Sequence, residues 1–238
     1  MATVRNSLTK GVKDFNNSMV QYDSGDTQVK LSPSIIRNYL VNGGGEVTDQ
    51  EVVMFLNLCK AQRLNPFLKE AYLLKLGSRP ATIVTGKEVF TKRARREKDF
   101  RGFQAGVIVL KHDGEVENRI GTLTLTNETL VGGWAKVFID GYDVPIEITV
   151  ALDEYIGVKK DGTVNSQWDK RPGTMIRKVA LVQALREAFP EQLQGMYAQD
   201  EMDVEVRLDE TPIEQKEEIE PTIVIESYNQ IGDDPLAD

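Results

Sequence analysis

Histidine and cysteine are almost missing from this chain: His112 and Cys59 are the only ones among 238 residues. One imidazole assembles neither a histidine-based triad nor a multi-histidine metal site, and beside Asp113-Gly114 it reads as a turn residue. One thiol closes no internal disulfide, so a reducing, cytoplasmic compartment is expected. Long apolar runs are also lacking. Stretches such as Val107–Leu110 fall far short of the roughly 20 residues that span a bilayer, and Met1–Lys13 has no apolar core of a secretory signal. No membrane association is expected. A phosphate loop is absent as well. Gly86-Lys87 resembles one superficially, but Ala81 stands where the first glycine belongs and Glu88 where a Ser or Thr would bind magnesium. Carboxylates are plentiful and leave an acidic-site metal nuclease as an open alternative, although most lie beside a base and read as solvated pairs.

What the chain does have is charge, unevenly distributed. The overall net charge is -8, yet residues 191–238 hold 15 acidic side chains against two basic ones, Arg207 and Lys216. That tail carries -13, and the remaining body carries +5. An acidic average therefore conceals a basic body compatible with a nucleic-acid partner.

Along the chain, residues 1–30 are rich in Ser, Thr, Asn, Asp and Gln and read as a flexible N-terminal arm. A short helix is expected over Ser34–Leu40, ended by Asn42-Gly43-Gly44-Gly45. Thr48 and Glu51 form a capping box that opens a helix running to Leu64, stopped by Asn65-Pro66. Ala71–Leu76 and Ala81–Val84 read as two strands around Gly77-Ser78-Arg79-Pro80. Lys87–Arg101 reads as a basic helix with seven cations, Lys87, Lys92, Arg93, Arg95, Arg96, Lys98 and Arg101, against three anions. Glycine pairs at Asp113-Gly114, Gly132-Gly133 and Asp140-Gly141 divide residues 103–150 into a four-stranded antiparallel meander, with Thr/Leu alternation over Gly121–Thr126 as one of its strands. Pro172 sits at the first turn of a helix that stops at Pro190. The expected fold is α+β, an antiparallel β-meander packed with helices, with a core over 31–195. Residues 196–238 form a flexible acidic tail carrying a short interaction segment, Ile223-Val224-Ile225.

Two features carry chemistry. The last helix is apolar nearly all round, yet Arg177, Lys178 and Arg186 are embedded in it. A buried cation needs an anion, either an internal carboxylate such as Glu187 or a phosphate from outside. Just upstream, Trp168 is flanked by Lys170 and Arg171. An aromatic ring among cations suits single-stranded nucleic acid, and a core tryptophan is the other reading.

The segment Leu64-Asn65-Pro66-Phe67-Leu68-Lys69-Glu70-Ala71-Tyr72 resembles the L-N-P-[WF]-x-K-E-[IA]-Y signature of the phage Red beta (Bet) family within the wider RecT group. Trp168, Pro172, Met175, Arg177, Ala180, Gln183, Arg186 and Phe189 match a second signature of lambda-type members in order and spacing, and Pro80–Phe90 resembles the family's apolar strand and Gly-containing helix entry. The resemblance covers roughly residues 30–190. It implies a protein that binds single-stranded DNA and anneals it to a complement in phage homologous recombination. Rings or helical filaments, the annealed duplex as an intermediate, and no ATP are part of the same implication. Lys69, Arg177 and Arg186 are then the phosphate ligands, with Gln183 as a polar contact. Where lambda-type proteins have basic residues after the motif proline, this chain has Gly173 and Thr174, and Lys170, Arg171 and Lys178 supply the charge instead.

Lys69, Arg177, Lys178 and Arg186 are expected to line one phosphate groove with Lys92, Arg93 and Arg96 on a neighbouring rim, and Lys87, Trp168, Lys170, Arg171 and Gln183 are counted among the DNA-binding residues. No catalytic residue, metal ligand or required cofactor is assigned, and magnesium is expected to modulate the rate by screening phosphates. The tail is expected to bind a phage exonuclease or a single-strand DNA-binding protein in the bacterial host cell. A passive coat protein, which protects a strand without pairing it, is the competing reading.

Overall fold

A computed structural model describes residues 15–158 and 162–198. The expected tail segment Ile223–Ile225 and nearly all of residues 196–238 lie outside them. Helices and antiparallel sheets are mixed, as an α+β chain requires.

The chain enters the described region through a hairpin. Strands β1 (Val20–Ser24) and β2 (Thr27–Leu31) pair antiparallel around Gly25-Asp26. Tyr22, Val29 and Leu31 point inward at 9%, 2% and 0% exposure, and the Tyr22 hydroxyl donates to the Leu64 carbonyl at 2.7 Å. The polar composition of residues 1–30 therefore conceals a packed hairpin in its second half, where the expected flexible arm gives way. Helix α1 (Pro33–Tyr39) follows with Ser32 as its cap. Helix α2 (Asp49–Ala61) opens on the expected capping box, in which Thr48 Oγ1 accepts from Glu51 N and Glu51 Oε2 accepts from Thr48 N. The other Glu51 oxygen accepts from Lys75 Nζ at 2.7 Å and from Ala81 N at 2.6 Å. One carboxylate thus ties the helix start to the strands that follow. Burial alone would raise its pKa, but the hydrogen bonds from Lys75, Thr48 and Ala81 outweigh that and hold it at about 2.

Those strands form a small sheet in the order β3 (Val41–Asn42), β4 (Ala71–Leu74), β5 (Thr82–Thr85), with β3 parallel and β5 antiparallel to β4. Helix α3 spans only Lys87–Ala94. The expected basic helix ends there: residues 95–99 are turns that lead into the next strand at Phe100.

The larger sheet contains β6 (Phe100–Leu110), β7 (Val116–Ile120), β8 (Thr129–Ile139) and β9 (Ile146–Ala151). All neighbours are antiparallel, but the order is β7-β6-β8-β9, so β8 pairs with the far side of β6 and the sheet is no simple meander. Two sequence expectations fail here for physical reasons. Gly132-Gly133 is not a turn but the middle of β8, beside a bulge where the register slips between Ile108 and Val109. A Cβ on Gly133 would stand 2.6 Å from the Ile176 carbonyl, so the glycine lets a helix backbone lie directly on the strand. The Thr/Leu alternation of residues 121–126 is a loop, not a strand. Glu128 fastens it by accepting from Leu125 N at 2.9 Å and from Arg119 Nη1 and Nη2 at 2.6 and 2.7 Å.

Helix α4 (Leu152–Tyr155) and helix α5 (Ser166–Lys170) lead to α6 (Pro172–Ala188), which opens on its proline as expected. α6 packs across β6, β8 and β9 and also against α3. Covered on two sides, it buries Met175, Ile176, Val179, Ala180, Leu181, Val182, Ala184 and Leu185, which is why its sequence is apolar nearly all round.

Candidate nucleic-acid interface

The Leu64–Tyr72 motif is a tight turn. Leu64 and Pro66 are buried, Asn65 caps a single 3-10 turn over Pro66–Leu68, and Asn65 N donates to Glu70 Oε2 at 2.8 Å. Lys69 closes the turn in the left-handed region at φ 57, an uncommon conformation for a residue with a side chain. Pinned by Lys69 N to Pro66 O and Glu70 N to Asn65 O, the turn exposes Phe67, Leu68 and Lys69 to solvent. Lys69 has no side-chain partner among the described residues.

The basic helix splits between internal and open positions. Lys92 Nζ lies 2.6 Å from Glu70 Oε1, and Arg93 donates to Gln62 Oε1, to the Gln62 carbonyl and, at 2.8 Å, to the Gln192 carbonyl. Burial lowers the Arg93 pKa most, Glu70 opposes that, and Arg96 adds to it. Lys87 pairs loosely with Glu88 at 3.6 Å, and Arg96 is exposed. Lys92, Arg93 and Arg96 share a cleft of about 570 Å³ with Arg63, but Glu70, Glu97 and Glu191 line it too. It is a mixed-charge cleft.

Two of the embedded cations of α6 reach backbone carbonyls or a ring inside the fold. Arg177 Nε donates to the Ala105 carbonyl of β6 at 3.1 Å. Arg186 lies with its guanidinium 4.8 Å from the Tyr197 ring centroid and reaches the Met196 carbonyl at 3.5 Å. Nine residues at about 100° each put Arg177 and Arg186 on opposite sides of the helix. The single groove expected from Lys69, Arg177, Lys178 and Arg186 is therefore not formed within one chain. Gln183 donates to the Tyr155 hydroxyl at 2.7 Å, and Lys178 is half-buried. Trp168 is 3% exposed, so of its two readings the core tryptophan holds and its ring offers no open stacking surface.

Open cations gather instead at the start of α6. Lys170 and Arg171 are exposed and have no side-chain partner among the described residues. With Pro172, Gly173 and Thr174 they line a groove of about 750 Å³ whose other wall is Thr122, Leu123, Thr124, Glu128, Thr129 and Leu130. Gly173 and Thr174 in the first turn of a 17-residue helix, four threonine side chains and two cations without side-chain partners among the described residues line it, a set suited to phosphate oxygens. The sequence reading missed the opposite wall because it assigned that loop to a strand. It also missed Tyr197, which lies beyond its expected core boundary at residue 195.

Fold and site define the class first: an α+β protein with Lys69, Lys170 and Arg171 exposed at turns and helix junctions, and with no three His, Cys, Asp or Glu grouped to hold a metal among the described residues. The sequence model of the RecT family matches residues 28–220, and the chain belongs to that family. It is also 31% identical over 136 residues to the uncharacterized protein UU154 of Ureaplasma parvum serovar 3. The aligned stretch is 57% of this chain and 52% of that protein, so the chain spans about half the length of the curated relative it matches. No helix among the described residues is long and apolar enough to cross a membrane.

Proposed function

We propose that this RecT-family chain binds single-stranded DNA and anneals it to a complementary strand in phage-type homologous recombination. The observation that carries this reading is the groove at the start of α6, where Lys170 and Arg171 stand open beside the helix amides within the second signature of the family. Cations on phosphates release counterions, which gives affinity independent of sequence, and neutralising both backbones lowers the repulsion between two strands. Base pairing supplies the specificity. The reaction uses no nucleotide and no catalytic centre, and magnesium modulates the rate by screening phosphates. Since one chain does not gather Lys69, Arg177, Lys178 and Arg186 into a groove, neighbouring copies in a ring or filament complete the path of the strand. The acidic residues beyond 199 serve partner proteins, a companion exonuclease or a single-strand DNA-binding protein.

The test mixes two complementary oligonucleotides, one fluorescently labelled, with the full chain and no nucleotide. Faster pairing than in buffer is expected. Slower pairing would establish a passive coat protein, a nucleotide requirement would overturn the mechanism, and magnesium-dependent loss of full-length DNA would establish a nuclease. Truncation after Gln199 is expected to leave annealing intact while weakening partner binding.

A further inference from the structure

We propose that the Tyr197 ring is a stacking platform for one base of a bound single strand. This rests on the single-strand DNA reading and adds a residue that neither signature contains. Tyr197 stands between two anchors, Met196 at 0% and Ala198 at 2% exposure, while its own exposure is 48%. Its carbonyl accepts from Thr85 N at 2.9 Å, which fixes the backbone to the end of β5. The Arg186 guanidinium covers one face of the ring at 4.8 Å. A ring covered on one face and about half exposed presents its other face to solvent. The tyrosine is thus held, oriented and open before any ligand arrives, so little conformational freedom is lost on binding.

The surroundings suit a nucleic-acid strand. Thr85 leads directly into Gly86, the cap of α3, and a Cβ on Gly86 would stand 2.8 Å from the Lys69 carbonyl. The Lys69 turn, the exposed Phe67 two residues before it, and Lys87 on the first turn of α3 therefore meet at the junction that holds Tyr197. Cations for the backbone beside an open aromatic face for a base is the arrangement single-strand sites use, and every base has a π-face to offer. Arg186 behind the ring is the positioning residue: its cation–π contact holds the phenol plane in place. Duplex DNA has its bases already stacked, so the platform discriminates in favour of single strands.

The experiment compares the full chain with Tyr197→Ala, Tyr197→Phe and Tyr197→Trp, using labelled oligo-dT and a duplex of equal length. Tyr197→Ala is expected to weaken oligo-dT binding by roughly 5- to 100-fold, the loss of one stacked base, while the salt slope stays unchanged because no phosphate contact is removed. Tyr197→Phe is expected to bind within about twofold of the parent, since the π-face remains. The native tryptophans Trp134 and Trp168 are buried at 4% and 3%, so quenching of the emission added by Tyr197→Trp on oligo-dT binding reports direct stacking. This readout stands even where Tyr197→Ala folds poorly. Unchanged oligo-dT affinity in a folded Tyr197→Ala, or no quenching in Tyr197→Trp that still binds, would overturn the platform alone. Loss of affinity accompanied by loss of assembly, measured by light scattering, would overturn it by making the ring a contact between copies. A parent protein that does not bind oligo-dT would overturn the single-strand DNA reading itself.

Discussion

The cations inside the fold and the cations on its turns are arranged by opposite rules. Inside, each described cation has a protein partner: Lys75, 6% exposed, holds Glu51, Arg93 is capped by Gln62 and Gln192, and Arg177 donates to the Ala105 carbonyl. On the turns, Lys69, Lys170 and Arg171 are exposed without side-chain partners among the described residues. A cation in an apolar helix is thus no pointer to a ligand when a sheet edge or loop carbonyl lies within reach. Desolvation forces the interior set to be satisfied by the protein itself, and the turn set is what remains for a polyanion.

The largest expected effect lies on the interior side. Glu51→Ala leaves Lys75 buried without its carboxylate and breaks the capping box, so a loss of about 3 kcal/mol in chemical denaturation is expected. A loss below roughly 1 kcal/mol would show that Lys75 finds solvent and would blur the division. The same carboxylate sets a pH window. Its pKa is held at about 2, below the ordinary 4.5, so its stabilisation is fully present above pH 4.5 and is lost as pH falls toward 2. Thermal unfolding of Glu51→Gln is expected to fall less steeply than the parent across that window, and parallel curves would contradict the assignment.

Arg177→Ala comes next. It removes one hydrogen bond to β6 while the Ala105 carbonyl keeps Gly121 N at 3.1 Å, a cost of about 1 kcal/mol by denaturation. Its salt dependence of DNA binding is expected to match the parent, and a smaller slope would move Arg177 into the outward set. The smallest effect on stability belongs to Lys69→Gly. At φ 57 glycine adopts the backbone freely, so stability should stay within about 1 kcal/mol while oligonucleotide affinity falls. Unaltered affinity would remove Lys69 from the site.

Much of this was legible in the sequence. The Thr48/Glu51 box and Pro172 marked helix starts because capping chemistry is local, and the Asp113-Gly114 turn lies where the glycine placed it, between β6 and β7. The hairpin over residues 20–31 also had a local signal, Gly25-Asp26 between the alternating Val20/Tyr22 and Val29/Leu31, hidden by the polar residues around it. Gly132-Gly133 was misread because a glycine that admits Ile176 looks in sequence like one that turns the chain. The partners of Arg177 and Arg186 could not be read at all, since they come from β6, 72 residues away, and from the segment after α6. Both signatures were visible, and in the structure they specify a tight turn and a buried helix.

The division is tested most directly by the salt dependence of single-strand affinity. Oligo-dT binding would be titrated across a range of ionic strengths for the parent, for Lys170→Ala/Arg171→Ala, and for Arg177→Ala. The double variant is expected to lower the logarithmic slope by up to about 1.4, the release of two counterions, and Arg177→Ala to leave it unchanged. An unchanged slope in the double variant, with the loss appearing in Arg177→Ala instead, would contradict the account.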